Sequence, residues 1–178
     1  MSSIELFQNK TDCCGCSACY NVCPRKAISM QEDEYGYVYP VIDQDKCVGC
    51  GLCRKVCHYQ ADKELRTPIK AYAAAGKKEE FLKKAASGGM FSLVADKILE
   101  EGGVVFGAAM EYHNNTLIPK HIAVESKEEL FKLQGSKYVQ SFIGNTYAEA
   151  KKYLADGRKV LFSGTPCQIE GLKGYLGR

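Results

Sequence analysis

Cysteines dominate the chemistry that this sequence could perform. The chain has 178 residues and ten cysteines, nine of them between residues 13 and 57. The spacing C-x2-C-x2-C-x3-C occurs twice. The first run is Cys13, Cys16, Cys19 and Cys23, and the second run is Cys47, Cys50, Cys53 and Cys57. Each cysteine of the second run lies 34 residues after its counterpart, and this constant offset indicates an internal duplication.

The spacing predicts iron–sulfur clusters. Three thiolates on one tight loop can bind three irons of one cubane cluster. The fourth cysteine lies further along the chain, and its thiolate binds at a different place. The region resembles a bacterial two-cluster ferredoxin, in which the fourth cysteine of each run binds the other cluster. By that rule the first 4Fe-4S cluster is held by Cys13, Cys16, Cys19 and Cys57. The second 4Fe-4S cluster is held by Cys47, Cys50, Cys53 and Cys23.

Structural zinc and disulfides are the alternatives. Zinc sites usually take two cysteines from each of two separated knuckles, whereas each run here already carries four. Cys14 falls outside the repeated spacing and is interpreted as a small, half-buried residue, not a ligand. His58 stands where the first run has Pro24, and we expect it either to tune the second cluster or to be an ordinary surface histidine.

Composition excludes several other functions. The chain has 24 basic and 21 acidic residues, which is too balanced for a nucleic-acid groove or an anionic membrane surface. The N-terminal segment resembles no signal peptide, and no apolar run is long enough to span a membrane. Free thiols fit a reducing compartment, so a cytoplasmic protein is predicted.

Two domains are expected, an N-terminal ferredoxin domain over residues 1–65 and a second domain over 66–178. In the first, residues 27–42 predict a hairpin, and residues 58–68 indicate a short linker. The second should contain buried strands at 69–76, 104–110, 116–124 and 158–164. Helices are predicted at 79–86, 90–103, 126–133, 146–157 and 166–176, two of them with capping boxes at Ser126/Glu129 and Thr146/Glu149. The fold class is therefore α+β, a ferredoxin domain followed by an incomplete α/β domain.

Three stretches of the second domain could bind a cofactor. The sequence "ASGGMF" at 86–91 places two glycines at a helix start, which suits a phosphate but is more often a tight turn. The sequence "GSKYVQS" at 135–141 could face an anionic cofactor, or it could be a half-exposed strand. In "FSGTPCQ" at 162–168, Cys167 falls in a first helical turn, where the helix dipole should lower its pKa.

In their order along the chain, the double cysteine motif, "SGGMFS", "GGVVFGA", "GSKYVQS" and "VLFSGTPCQIEGL" resemble the coenzyme F(420) hydrogenase/dehydrogenase beta-subunit family. The resemblance covers residues 12–176. It implies an oxidoreductase in which FAD relays electrons between the clusters and a deazaflavin or another hydride carrier. Cys167 resembles a family cysteine that can serve an additional cluster. The candidate flavin contacts are Ser87, Gly88, Gly89, Lys137, Tyr138, Gly164 and Thr165.

Family members normally continue beyond the "GTPCQ" helix, so a truncated chain or completion by another chain is expected. Two function classes follow. The first is an enzyme subunit that works with a redox partner protein, for which the sequence identifies no catalytic residue. The second is a non-catalytic ferredoxin-type electron-transfer module with a docking domain.

Overall fold

The computed structural model describes residues 4–60 and 67–177. The chain divides into two compact units, which we describe separately. The first comprises Met1–Glu64 together with Thr165–Arg178, and the second comprises Leu65–Gly164. The sequence assigned residues 165–178 to the second domain, whereas this division groups them with the cysteine runs. The domain limits stay a prediction, and part of the predicted linker lies outside the described residues.

The first unit is built on short elements around the two cysteine runs. Helices α1 (Ala18–Val22) and α2 (Leu52–Lys55) each begin directly after a left-handed residue, Ser17 and Gly51 respectively. Between them lies the predicted hairpin, β1 (Ile28–Glu32) and β2 (Val38–Ile42), paired antiparallel. The duplicated spacing therefore produces the same loop and helix twice.

Helix α6 (Pro166–Leu176) completes the first unit and packs against α1. Its start follows the predicted pattern, with Pro166 in the first turn. Thr165 and Gln168 form a capping box, in which the Gln168 side chain accepts the Thr165 backbone N–H at 2.9 Å. Gly174 lies so close to the carbonyl oxygen of Val56 that an added Cβ would overlap it. A glycine is thus required where α6 meets the end of the second run.

The second unit contains a three-stranded sheet in the order β4-β3-β5. Strands β3 (Val104–His113) and β4 (Thr116–Val124) form an antiparallel hairpin, and β5 (Val160–Phe162) pairs parallel to β3. Parallel and antiparallel pairing in one sheet, with helices beside it, is an α+β arrangement. The predicted fold class is confirmed, with a ferredoxin-type domain at its N-terminus.

Three helices accompany the sheet. They are α3 (Glu79–Lys83), α4 (Met90–Glu100) and α5 (Thr146–Ala155). Helix α4 contributes Ala95 and Leu99 to an apolar core with Val105 and Val124. These helices and strands match the predicted order, although α3, α4 and α5 end earlier than expected and β5 is shorter at both ends.

Two of the predicted elements are wrong, and so are both predicted capping boxes. Residues 69–76 form no strand, because their apolar side chains, such as the 98% exposed Ile69, have no sheet neighbour to pack on. The helix at 126–133 is reduced to a 3-10 turn, Leu130–Lys132, without a side-chain cap. Helix α5 forms without the Thr146/Glu149 box, since the Thr146 hydroxyl donates to the Ile143 carbonyl at 2.7 Å.

Among the residues that the structure describes, no helix is both long and apolar enough to cross a membrane.

Candidate metal centres

The first cysteine run forms a tight loop that leads into α1. Gly15 and Ser17 both adopt left-handed backbone conformations, with φ of 64° and 62°. These two reversals turn the chain back on itself, so the thiols of Cys13, Cys16 and Cys19 all line one cavity. The Gly15 N–H points at the Cys13 sulfur, 3.5 Å away. Backbone N–H groups directed at thiolate sulfur are a feature of iron–sulfur sites, where they stabilise the reduced cluster.

Cys57, the last cysteine of the second run, lines the same cavity. It follows α2, and α2 packs against α1, so the end of the second run is carried next to the first. The remaining wall is largely apolar and includes Leu6, Phe7, Met30 and Pro40. Cys14 also lines this cavity, and the other four thiols around it form a donor set that fits an iron–sulfur cluster.

The second run forms the corresponding loop, with left-handed Gly49 and Gly51 at φ of 69° and 74°. Cys53 is buried at the start of α2. Burial raises the pKa of its thiol, and the nearby Cys50 and Cys47 add to that increase. Cys50 itself is exposed. This loop can also present three thiols to one centre.

Cys23, from the end of the first run, contacts the same small apolar cluster as Cys53. That cluster is built on Leu6 and Ile28. The Ala27 N–H donates to the Cys23 sulfur at 3.3 Å. A donor from the first run is therefore available beside the second.

Burial keeps several of these thiols protonated in the metal-free protein. It raises the pKa of Cys13 and of Cys53, and it raises the pKa of Cys19 to about 12. A cluster or metal binds the thiolate, so ligand binding at these cysteines must release protons.

Cys14 has a closer neighbour than its sequence position indicated. Its thiol hydrogen-bonds with those of Cys16 and Cys167, and the bond with Cys16 is the largest cause that raises the pKa of Cys14 to about 12. The hydrogen bond with Cys14, aided by burial, raises the pKa of Cys167. The lowering that we expected from the helix dipole is therefore wrong at Cys167, because local hydrogen bonding and desolvation outweigh it.

His58 lies beside the first run. One ring nitrogen of His58 and the sulfurs of Cys14 and Cys16 all lie within 4.8 Å of one another, close enough to hold a metal ion. The ring also contacts Tyr59, at 4.3 Å between centroids. The sequence linked His58 to the second cluster only through its place in the second run, and no local spacing rule could have placed it here.

The second unit has a cavity of about 290 Å³ at the start of α4. Among the candidate flavin contacts, Ser87 and Gly89 line it. Gly89 is the left-handed N-cap of α4, with φ of 72°. Gly88 lies directly over the Ala74 carbonyl, so that position has no room for a side chain. The cavity wall also includes Gly135, Ser136 and Ser163, which were not singled out individually from the sequence.

The other candidate flavin contacts lie elsewhere. The Lys137 ammonium donates to the carbonyls of Gln134 and Lys132, at 2.7 and 3.2 Å, and burial lowers its pKa. Tyr138 is 94% exposed. Gly164 ends the second unit, and Thr165 caps α6 in the first. The structure thus brings only part of the predicted set to the cavity.

A buried histidine supports one wall of that cavity. His121 donates from Nε2 to the Ser163 carbonyl at 2.8 Å, and its Nδ1 accepts from the Ser141 hydroxyl at 2.7 Å. The ring stacks on Phe162, and burial lowers its pKa, which favours the neutral form. The sequence analysis missed this residue. Its position within an alternating strand was the available signal, because a polar residue on an inward-facing position requires partners.

Two family descriptions match this sequence. Residues 12–61 match "4Fe-4S dicluster domain", and residues 71–145 match "Coenzyme F420 hydrogenase/dehydrogenase, beta subunit N-term". The first covers both cysteine runs. The second covers α3, α4, the β3–β4 hairpin and the cavity wall apart from Ser163.

Three curated relatives illustrate the similarity. An uncharacterized ferredoxin of Methanocaldococcus jannaschii is 33% identical over 31% of this chain and 70% of its own length. The coenzyme F420-dependent sulfite reductase of the same organism is 25% identical over 90% of this chain but only 24% of its own length. A probable iron–sulfur subunit of the frd operon of Proteus vulgaris is 38% identical over 32% of this chain and 32% of its own length.

The similarity thus spans only 24% and 32% of the length of two of these relatives. The ferredoxin-like cysteine runs, the two consecutive family matches and the similarity across nine-tenths of the chain agree with one another. This chain therefore carries a 4Fe-4S dicluster domain at its N-terminus, followed by a region that matches the N-terminal part of the coenzyme F420 hydrogenase/dehydrogenase beta subunit.

Proposed function

We propose that this protein relays electrons through two 4Fe-4S clusters, as a subunit or part of a flavin-dependent oxidoreductase. One observation carries the proposal. Cys57 of the second run lines the same cavity as Cys13, Cys16 and Cys19 of the first. This exchange of the fourth ligand between runs is how two-cluster ferredoxins bind their cubanes. The second set is then Cys47, Cys50, Cys53 and Cys23.

The surrounding residues support such centres. Leu6, Phe7 and Pro40 restrict water at the first site, and the Gly15 N–H is available to a ligand sulfur. A bound 4Fe-4S cluster supplies one-electron transfer, and its potential is set by exposure and by hydrogen bonds to sulfur. The protein's own role is to hold the eight thiolates in place and to control how much solvent reaches each site.

The flavin part of the proposal rests on the cavity at the start of α4. Bare N–H groups at Gly88 and Gly89, followed by an eleven-residue helix, suit an anionic cofactor. Ser87, Gly89 and Ser136 could contact FAD there, with His121 holding the Ser163 carbonyl in position. FAD would connect a two-electron hydride carrier, such as a deazaflavin, with one-electron clusters. We propose a cytoplasmic location, since all ten cysteines are thiols and not disulfides, as a reducing compartment would keep them.

Paired alanine variants test the ligand assignment. After anaerobic purification, the parent should contain about eight irons and eight acid-labile sulfides per chain. Cys13→Ala should lose about half of the iron, and combining it with Cys57→Ala should remove no more, because both residues serve one cluster. Combining Cys13→Ala with Cys47→Ala should remove nearly all of the iron. Cys14→Ala removes the cavity thiol that falls outside the repeated spacing, and it should keep the parent content if Cys14 is not a ligand.

The pairs also show what would contradict the assignment. The double variant Cys13→Ala/Cys57→Ala could contain less iron than Cys13→Ala alone, while Cys47→Ala/Cys57→Ala contains as much iron as Cys47→Ala alone. That result would show that the fourth ligands are not exchanged. Zinc without sulfide in the parent protein would refute the clusters altogether.

Flavin is measured on the same samples. Yellow colour and flavin absorbance that persist through desalting, and that are lost on Gly89→Val, would support the oxidoreductase. Eight irons without any flavin would favour the alternative, an electron-transfer module with a docking domain.

A further inference from the structure

The loop of the second run is exposed and basic. From residue 46 to residue 55 the sequence contains Lys46, Arg54 and Lys55 and no acidic residue. All three side chains are exposed, as are Gly49 and Cys50 at the tip of the loop. Any cofactor held by this loop therefore lies close to the protein surface.

Apolar side chains flank the exposed thiol. Val48 is 59% exposed and Leu52 is 38% exposed, on either side of Cys50. Exposed apolar groups beside a redox centre allow a partner to approach without leaving a layer of water between the two centres. The exposed surface of the loop is therefore apolar in the middle and is bordered by basic side chains.

The positive charge of this surface is only partly neutralised. The Lys46 ammonium lies 2.7 Å from the Asp43 carboxylate, so that pair is close to neutral. The Arg54 guanidinium donates to the Glu5 carbonyl at 2.8 and 3.0 Å. A carbonyl carries no net charge, so Arg54 stays a cation at the surface, and Lys55 beside it adds a second.

We propose that this surface, formed by Val48, Cys50, Leu52, Arg54 and Lys55, is the docking site for a small acidic protein that carries single electrons. The proposal rests on the proposed electron-relay function and specifies its protein partner. In each encounter the carrier is oxidised by one electron and the second cluster is reduced by one, or the reverse, and no bond forms or breaks.

Three properties favour this occupant. The patch is small, and encounters between redox proteins are typically weak and bury less than about 1,200 Å² in total. The uncompensated cations would steer an acidic protein to the loop and would repel a basic one. The exposed Cys50 loop also leaves a short path between the two redox centres.

The test uses the cluster-loaded protein and a reduced, acidic plant-type 2Fe-2S ferredoxin as the probe. Stopped-flow mixing gives the second-order rate constant, and a titration at equilibrium gives the Kd. Lys55→Glu combined with Val48→Glu should lower the rate constant and weaken binding at least tenfold at low ionic strength. Added salt should slow the parent more than the variant, because it screens the attraction.

Tyr35→Glu is the matched control, since Tyr35 is an exposed apolar residue in the hairpin turn. It should react as the parent does. Iron content is measured for each variant, and Lys55→Glu alone replaces the double variant if that variant loses iron. Equal rates and affinities in parent and loop variant, or an equal loss in Tyr35→Glu, would overturn the docking site. A parent without iron would instead refute the proposed function itself.

Discussion

The two cysteine runs have the same spacing and the same loop conformation, yet they occupy different environments. The first run is covered by Leu6, Phe7 and Pro40, whereas Gly49 and Cys50 of the second are exposed. The first is preceded by Asp12 and contains no basic residue, whereas the second is preceded by Lys46 and contains Arg54 and Lys55. The duplication therefore preserved the ligand geometry, while the flanking segments made one site internal and the other superficial.

Thiol reactivity gives the largest test of this contrast. In the metal-free, folded protein, a Cys19 pKa of about 12 in place of 9.0 lowers its thiolate fraction at pH 8 by about 10³-fold. We expect iodoacetamide to modify the exposed Cys50 early and Cys19 much later. Timed quenching and peptide mass spectrometry measure both rates.

The same reaction in 8 M urea is the control, since unfolding should bring the two rates close together. If Cys19 reacts as fast as Cys50 in the folded protein, the first run is not more buried than the second.

A second test concerns how the end of the second run reaches the first. Gly174→Ala would place a Cβ against the Val56 carbonyl, one residue before Cys57. Alanine is the better helix former, so a net loss would come from this contact. We expect the free energy of unfolding to fall by about 1–3 kcal/mol, as for other overpacked sites, and iron content to fall with it. Chemical denaturation and iron analysis measure the two effects.

Lys173→Ala, at an exposed position of the same helix, is the matched control and should change neither quantity. An unchanged or higher stability of Gly174→Ala would mean that α6 does not fix the position of Val56 and Cys57.

The smallest effect is expected outside both runs, at His121. Burial lowers its pKa, so the folded state binds fewer protons than the unfolded state. Its contribution to stability is therefore complete above the ordinary histidine pKa of 6.5 and is lost as the pH falls toward the folded value. Between pH 7.5 and 5.5 the parent should lose up to about 1.4 kcal/mol that His121→Gln does not lose. Urea unfolding at the two pH values measures this difference.

His113→Gln, an exposed histidine change in the same hairpin, should behave as the parent does. Iron content should be unchanged in both variants. Both histidines belong to the second unit, whereas the two cysteine runs belong to the first. A parent and a His121→Gln variant with the same pH dependence would show that His121 is not held neutral.

Much of the fold followed from local sequence patterns. The β1–β2 hairpin, α4, β3, β4 and the start of α6 were all predicted, because their periodicity or their caps are properties of neighbouring residues. The prediction of a strand at 69–76 was wrong, because an apolar, alanine-rich segment becomes a strand only when a sheet edge is available to it. The Thr146 box failed because the Thr146 hydroxyl donates to the Ile143 carbonyl, and the Ser126 box failed together with the helix that it was expected to begin.

The sequence by itself determined the number of thiols, their spacing, the duplication and the family. These depend on short-range order along the chain, and a C-x2-C-x2-C loop has few conformations open to it. The two-cluster ferredoxin rule already predicted that Cys57 serves the first run. Only the tertiary structure decided that Cys14 meets Cys167 and that His58 lies beside Cys16. Those contacts arise from the packing of helices and segments that are distant in sequence. The covering of the first loop and the exposure of the second loop at Cys50 follow from the same packing.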